Sequence, residues 1–142
     1  MKKIYYPLLI VILVIAMSGC KKSDNNPVTP PPTVPPDFNI SAQPVTLATG
    51  DAGLTFSAHC TTDDVNLIKV VVQNPIGNSQ TFNANNNLFL KDEEFQCQNA
   101  GTGYVKYLGT WSLTFAGNKA SGSKASFTVT KTLSVTGKIS AN

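Results

Sequence analysis

The chain has 142 residues, a formal charge of +3 at pH 7 and a single histidine. That excess charge sits in the first 24 residues. From Asp37 onward, seven lysines (Lys69, Lys91, Lys106, Lys119, Lys124, Lys131, Lys138) face seven acids (Asp37, Asp51, Asp63, Asp64, Asp92, Glu93, Glu94), and there is no arginine. Nucleic-acid binding needs clustered cations to displace counterions, so that partner class is excluded.

The first element is an address. Lys2 and Lys3 precede an apolar run from Tyr5 to Met17, followed by Ser18, Gly19 and Cys20. A basic start, a short greasy core and small residues at the end mark residues 1–19 as a secretory signal peptide. The run is shorter than the roughly 20 apolar residues a membrane-spanning helix needs. Met17-Ser18-Gly19-Cys20 resembles the lipobox of bacterial lipoproteins. The resemblance implies cleavage before Cys20, diacylglycerol on its thiol and a further acyl chain, such as palmitate, on the new amino terminus. Two or three acyl chains, at about 0.8 kcal/mol per buried methylene, hold a protein to a bilayer where one chain does not. Lys21 stands where proteobacterial inner-membrane retention places an Asp. The following KKSDNN is similar to the lysine-plus-acid tags of Bacteroidota surface lipoproteins. An outer-membrane anchor is expected, its periplasmic or outer face left open.

Residues 20–36 form the next segment, the lipidated cysteine and a tether. Six of the nine prolines fall at Pro27, Pro30, Pro31, Pro32, Pro35 and Pro36. Proline fixes φ and has no amide donor, so this stretch builds neither helix nor sheet. It is expected to be disordered or extended, rising about 3.1 Å per residue, a spacer between membrane and domain.

Residues 37–142 have the size of one domain. Leu54, Phe56, Ala58 and Cys60 alternate with polar neighbours; Trp111, Leu113 and Phe115 do the same, as do Phe127, Val129, Leu133 and Val135. Period-two alternation rich in β-branched and aromatic residues predicts half-buried antiparallel strands. Turn-forming stretches at Gly50–Gly53, Thr61–Asp64, Asn74–Asn78, Asn83–Asn87 and Gly117–Ser123 separate them. Seven strands are expected, near 39–48, 53–61, 65–73, 79–83, 87–91, 109–117 and 125–136, with a bulge or strand end at Lys131. Residues 93–108 read as a further strand or a long loop. The fold class is all-β, an antiparallel β-sandwich. GTWSLTFAG at 109–117 resembles the late strand of immunoglobulin-like domains in bacterial surface proteins, with Trp111 at the buried anchor position. The resemblance implies an immunoglobulin-like sandwich, departing from antibody domains in that Cys97 precedes the Trp111 strand.

With Cys20 lipidated, Cys60 and Cys97 remain. Two cysteines in an exported chain are expected to pair, because the envelope is oxidising. His59 sits on the outward parity beside Asp63 and Asp64, short of the three or four converging ligands of a metal site, so no metal is expected there. Asp92, Glu93 and Glu94 lack the spacing of a calcium loop and read as a solvated turn. No nucleophile elbow or phosphate-cradling glycine loop is present, and although a glycosidase pair could be drawn from the acids, a sandwich this short rarely builds a deep cleft around one, so neither a cofactor nor catalysis is expected.

Two surfaces offer binding. One is the outward face carrying Thr110, Ser112, Thr114, Thr128, Thr130, Thr132 and Ser134, joined by Leu67, Lys69 and Val71, with Ile68, Val70 and Val72 facing the core. That face suits a protein partner. The other is the stretch around Tyr104 and Tyr107, whose rings suit a glycan or a partner. The leading expectation is a membrane-anchored envelope lipoprotein presenting a small binding or adhesion module to a protein or glycan. The alternatives are a carbohydrate-binding accessory lipoprotein of a polysaccharide uptake system and, more remotely, a small hydrolase. Cys20 (lipidation), Cys60 and Cys97 (bridge), and Tyr104, Tyr107, Leu67 and Val71 (binding) are the candidate site residues.

Overall fold

The computed structural model describes residues 33–137. The signal peptide, Cys20, most of the tether and Lys138 lie outside the described residues. What is described is all-β. The strands are β1 (Phe38–Thr46), β2 (Ala52–Cys60), β3 (Val65–Gln73), β4 (Ser79–Phe89), β5 (Phe95–Gln96), β6 (Tyr104–Val105), β7 (Gly109–Lys119) and β8 (Ser126–Val135). One sheet has the order β1-β2-β5 with β6 also on β2, and the other the order β4-β3-β7-β8; all pairs are antiparallel. The expected β-sandwich is therefore present, with eight strands in place of seven.

The core forms where the alternating apolar sets of the two sheets meet. Leu54, Phe56, Ala58 and Cys60 from β2 face Val65, Leu67, Val70 and Val72 from β3 and Trp111, Leu113 and Phe115 from β7, all buried. Phe38 of β1 stacks on Phe115 with ring centroids 4.3 Å apart, and Phe56 lies 5.0 Å from Trp111. Offset and tilted aromatic pairs add about 0.5–1.5 kcal/mol each beyond their burial. The Trp111 indole N–H donates to the Tyr107 carbonyl at 2.9 Å, so the largest buried side chain keeps a partner for its one polar atom. Gly109 opens β7 at φ +125°, where a Cβ would approach Pro75 to 3.0 Å; only glycine fits that start.

Three expectations about elements are corrected and one left open is resolved. The turn expected at Asn83–Asn87 is not a turn: 79–83 and 87–91 merge into one strand, Ser79–Phe89. Asn85 and Asn86 take φ 55° and 59°, a conformation Asn tolerates better than most residues, so the chain kinks without reversing. Ile68 is an extra residue in β3: Leu67 pairs Gly117 while Lys69 pairs Ala116. This bulge shifts the side-chain parity, sending Leu67 into the core and Ile68 to the surface at 45% exposure, the reverse of the expected alternation. No bulge or end occurs at Lys131, since β8 keeps its register with β7 straight through it. Residues 93–108 hold two short strands, each pairing with a different part of β2.

The tether's last residues join the sandwich. Pro36 is fully buried. The Asp37 amide donates to Thr62 Oγ1, its carbonyl accepts from the Thr61 amide, and its carboxylate pairs with Lys131. Lys131 points inward from β8, an edge strand, and this ion pair closes the side where β8 meets β1. The chain thus enters at one end of the sandwich, beside the 61–64 loop. The 47–51 loop and the 74–78 turn mark the far end.

Candidate binding groove

The candidate residues do not assemble into one site. Leu67 lies in the core at 0% exposure and presents nothing to a partner. Val71 does face outward, half-buried, opposite Thr114 and Thr81. Around it the outward face carries the expected hydroxyls, with Thr114 and Thr130 hydrogen-bonded at 2.9 Å.

Tyr104 is buried against Phe56 and Trp111, and its hydroxyl donates to the Cys97 carbonyl at 2.6 Å. Burial pushes its phenol up to about 12. It lids the core and offers no ring to a ligand. Tyr107 is half-buried, and its carbonyl receives the Trp111 indole.

The expected Cys60–Cys97 bridge is not formed; both thiols are free and buried. The register gives the reason. The Cys97 amide bonds the Phe56 carbonyl, and Cys60 lies four residues farther along β2, roughly 13 Å at 3.3 Å per residue. Bridged cysteines have Cα atoms within about 7 Å. Burial also pushes the Cys97 thiol up to about 12, which keeps it protonated and a poor nucleophile.

The ionisable groups serve the loops. Asp63 pairs with Lys119 at 3.0 Å. Burial raises its carboxyl, but hydrogen bonds from Lys119 and Thr62 and the lysine charge outweigh this and hold it below the ordinary value. Asp64 accepts from the Lys91 amide at 2.7 Å, and Glu93 accepts from the Leu90 amide at 2.8 Å. His59 lies on β2 opposite Asn39, half-buried. Among the described residues, no three His, Cys, Asp or Glu side chains converge as a metal site.

A concavity that sequence reasoning missed lies on the opposite side of the sandwich from the Asp37–Lys131 pair. There β4 ends one sheet and β5 the other, and Phe89 packs on Phe95 with centroids 4.4 Å apart. Between them opens a groove of about 630 Å³, lined by Phe82, Phe89 and Phe95, by Val45 and Leu47, and by the amides Gln96, Gln98 and Asn99 with the loop to Gly103. No charged side chain lines it.

Gln98 is the fixed point of its wall. It is 8% exposed, its Oε1 accepts from the Phe56 amide at 2.9 Å, and its Nε2 donates to Gln96 Oε1 at 2.6 Å. A side chain thus completes the β2 ladder between the stretches where β5 and β6 pair. The available signal was weak: Phe82 and Ala84 share a parity, but Phe89 falls on the other one beyond the kink at Asn85 and Asn86, and reading a turn at Asn83–Asn87 hid the continuity of the strand.

No known protein family matches the chain, and no significant match occurs among curated proteins or solved structures. The fold and the groove define an antiparallel β-sandwich with one open groove whose lining carries no charged side chain.

Proposed function

We propose that this chain is an envelope lipoprotein, held to the outer membrane by lipid on Cys20, whose sandwich acts by binding and not by turnover. The observation that carries the binding reading is the groove on the β4–β5 side. Its lining brings together three phenylalanines and the amides of Gln96, Gln98 and Asn99, with Gln98 held by two hydrogen bonds, and it includes no ionisable side chain. Such a lining recognises an uncharged ligand; it offers no acid, base or nucleophile. The immunoglobulin-like assignment is part of the proposal. Supporting it are the split of β1-β2-β5 from β4-β3-β7-β8 and the burial of Trp111 in β7.

The anchor is tested with Cys20→Ser, which should remain uncleaved and take up no radioactive palmitate. Normal labelling of that variant removes the anchoring claim. The groove is tested with Phe89→Ala and Asn99→Ala, which should weaken whatever the wild type retains while Thr130→Ala on the outer face leaves it unchanged.

A second reading is favoured by one observation. Phenylalanine faces beside Gln and Asn amides match the apolar faces and hydroxyls of a neutral sugar, so a glycan is a suitable small occupant. Binding on a glycan array that Asn99→Ala abolishes would support it, and an array blank for the wild type would dismiss it.

A further inference from the structure

We propose that the groove is one section of a longer cleft along β4, and that this cleft takes a linear neutral polysaccharide seated across several sugar units. This deepens, and rests on, the reading of the β4–β5 side as the binding side.

Two smaller concavities adjoin the groove. One, of about 160 Å³, shares Phe82, Gln98 and Asn99 with it and adds Gln80. The other, of about 210 Å³, shares Gln80 with the first and reaches Asn74, Asn78 and Tyr107. Together they follow β4 from the 74–78 turn to Phe89.

The ends of this cleft repeat one chemistry. The groove holds the half-buried rings of Phe82 and Phe89 with the exposed amides of Gln96 and Asn99. The far section holds the half-buried ring of Tyr107 with the exposed amides of Asn78 and Gln80. A sugar chain also repeats, presenting in each unit an apolar ring face and hydroxyls that both donate and accept. A side-chain amide carries a donor and an acceptor, so it meets a hydroxyl in either sense. Spacing decides the length. Phe89 lies opposite Val65 and Phe82 opposite Val70, roughly 15 Å apart at 3.3 Å per residue. A single sugar unit does not reach both rings; a chain of them meets each in turn.

A polypeptide fits this side less well. An added strand needs an unbroken row of edge amides and carbonyls. β4 breaks that row at Asn85 and Asn86, where positive φ takes the backbone out of the extended form. A ligand held by side-chain amides and rings passes the kink. An acidic polysaccharide fits worse, because its carboxylates would leave water for a lining that offers no cation.

The test uses the lipidated full-length product in detergent micelles. It is titrated calorimetrically with neutral gluco-, manno- and xylo-oligosaccharides, each as a ladder from disaccharide to octasaccharide. In the series that binds, affinity should rise about tenfold from disaccharide to hexasaccharide and then level off. Asn99→Ala should weaken every member. Asn78→Ala and Gln80→Ala, both at exposed positions, should each weaken the hexasaccharide and leave the disaccharide unchanged. Thr130→Ala on the outer face should alter neither.

Affinity that does not grow with length overturns the extended cleft, as does a hexasaccharide indifferent to Asn78→Ala and Gln80→Ala. If the disaccharide still binds in an Asn99-dependent way, the groove reading survives that failure. Equally tight binding of a galacturonate hexamer overturns the neutral class. With every ladder blank, the cleft and the glycan reading fall together. A displayed peptide library captured in a Gln80-dependent way would then make the occupant a polypeptide.

Discussion

Replacing Gln98 by alanine leaves the buried Phe56 amide without the acceptor that lies 2.9 Å from it. An unsatisfied buried donor costs about 1–3 kcal/mol. The expected result is a loss of that size in a denaturant titration, with protection from hydrogen exchange falling first at Phe56 and Cys97. The same residue scale governs the thiols. With Cys20 acylated, the native protein should show no reactive thiol, and the unfolded protein should show two without any reductant. A bridged pair would give none in either state, so this single comparison separates the two arrangements. Asp63 supplies a pH signature. Its folded carboxyl lies below the ordinary value of 3.8, so the pair with Lys119 contributes stability above that pH and loses it as pH falls through the folded value. Asp63→Asn should flatten the acid side of a stability-versus-pH curve while changing its neutral plateau little, because the pair is partly solvent-exposed.

At the scale of elements, Ile68 is the informative residue. Removing it turns β3 into Val65-Asn66-Leu67-Lys69-Val70-Val71-Val72, in which inward and outward side chains alternate without a break. The register with β7 already reads as if it were absent. Deletion of Ile68 should therefore leave the fold intact and cost no more than the ~0.5–3 kcal/mol of an ordinary point substitution. Deletion of Val70 would invert the parity of half the core. A thermal melt of the two variants distinguishes these outcomes. The same element shows where the sequence was legible. β2 and β7 alternate cleanly because each has a fully buried face, and both were placed within two residues. A bulge is invisible in a run such as Val65–Val72, where apolar residues stand on both parities, so Leu67 and Ile68 were exchanged. An Asn-rich stretch reads as a reversal, and β4 was cut in two for that reason. Tyr104 was ambiguous for another: a tyrosine serves a core lid as well as a ligand platform, and only the Cys97 carbonyl at its hydroxyl decides between them. Cysteine pairing failed as a rule because counting thiols carries no information about register.

At the scale of the whole molecule, the two long sides of the sandwich differ in kind. One is closed by Asp37 with Lys131 and by Phe38 against Phe115 and Phe127; the other is left open at β4 and β5. The closed side is also where the tether becomes part of the fold, since Pro36 is buried and Asp37 is held by Thr61, Thr62 and Lys131. That continuity sets the outcome of proteolysis. Lys21 and Lys22 are the first trypsin sites after the lipidated cysteine, and prolines fill the stretch that follows them. In the domain, Lys119 and Lys131 are ion-paired in β strands, and extended ladders resist a protease until they open. Brief trypsin treatment should therefore sever the lipid from the sandwich and release it into water with its core intact. Whole cells and cells with a permeabilised outer membrane give different answers. Release from whole cells places the sandwich on the outer surface. Release only after permeabilisation places it in the periplasm. Retention in the membrane pellet after complete cutting at Lys21 and Lys22 would mean that something other than acyl chains on Cys20 holds the protein.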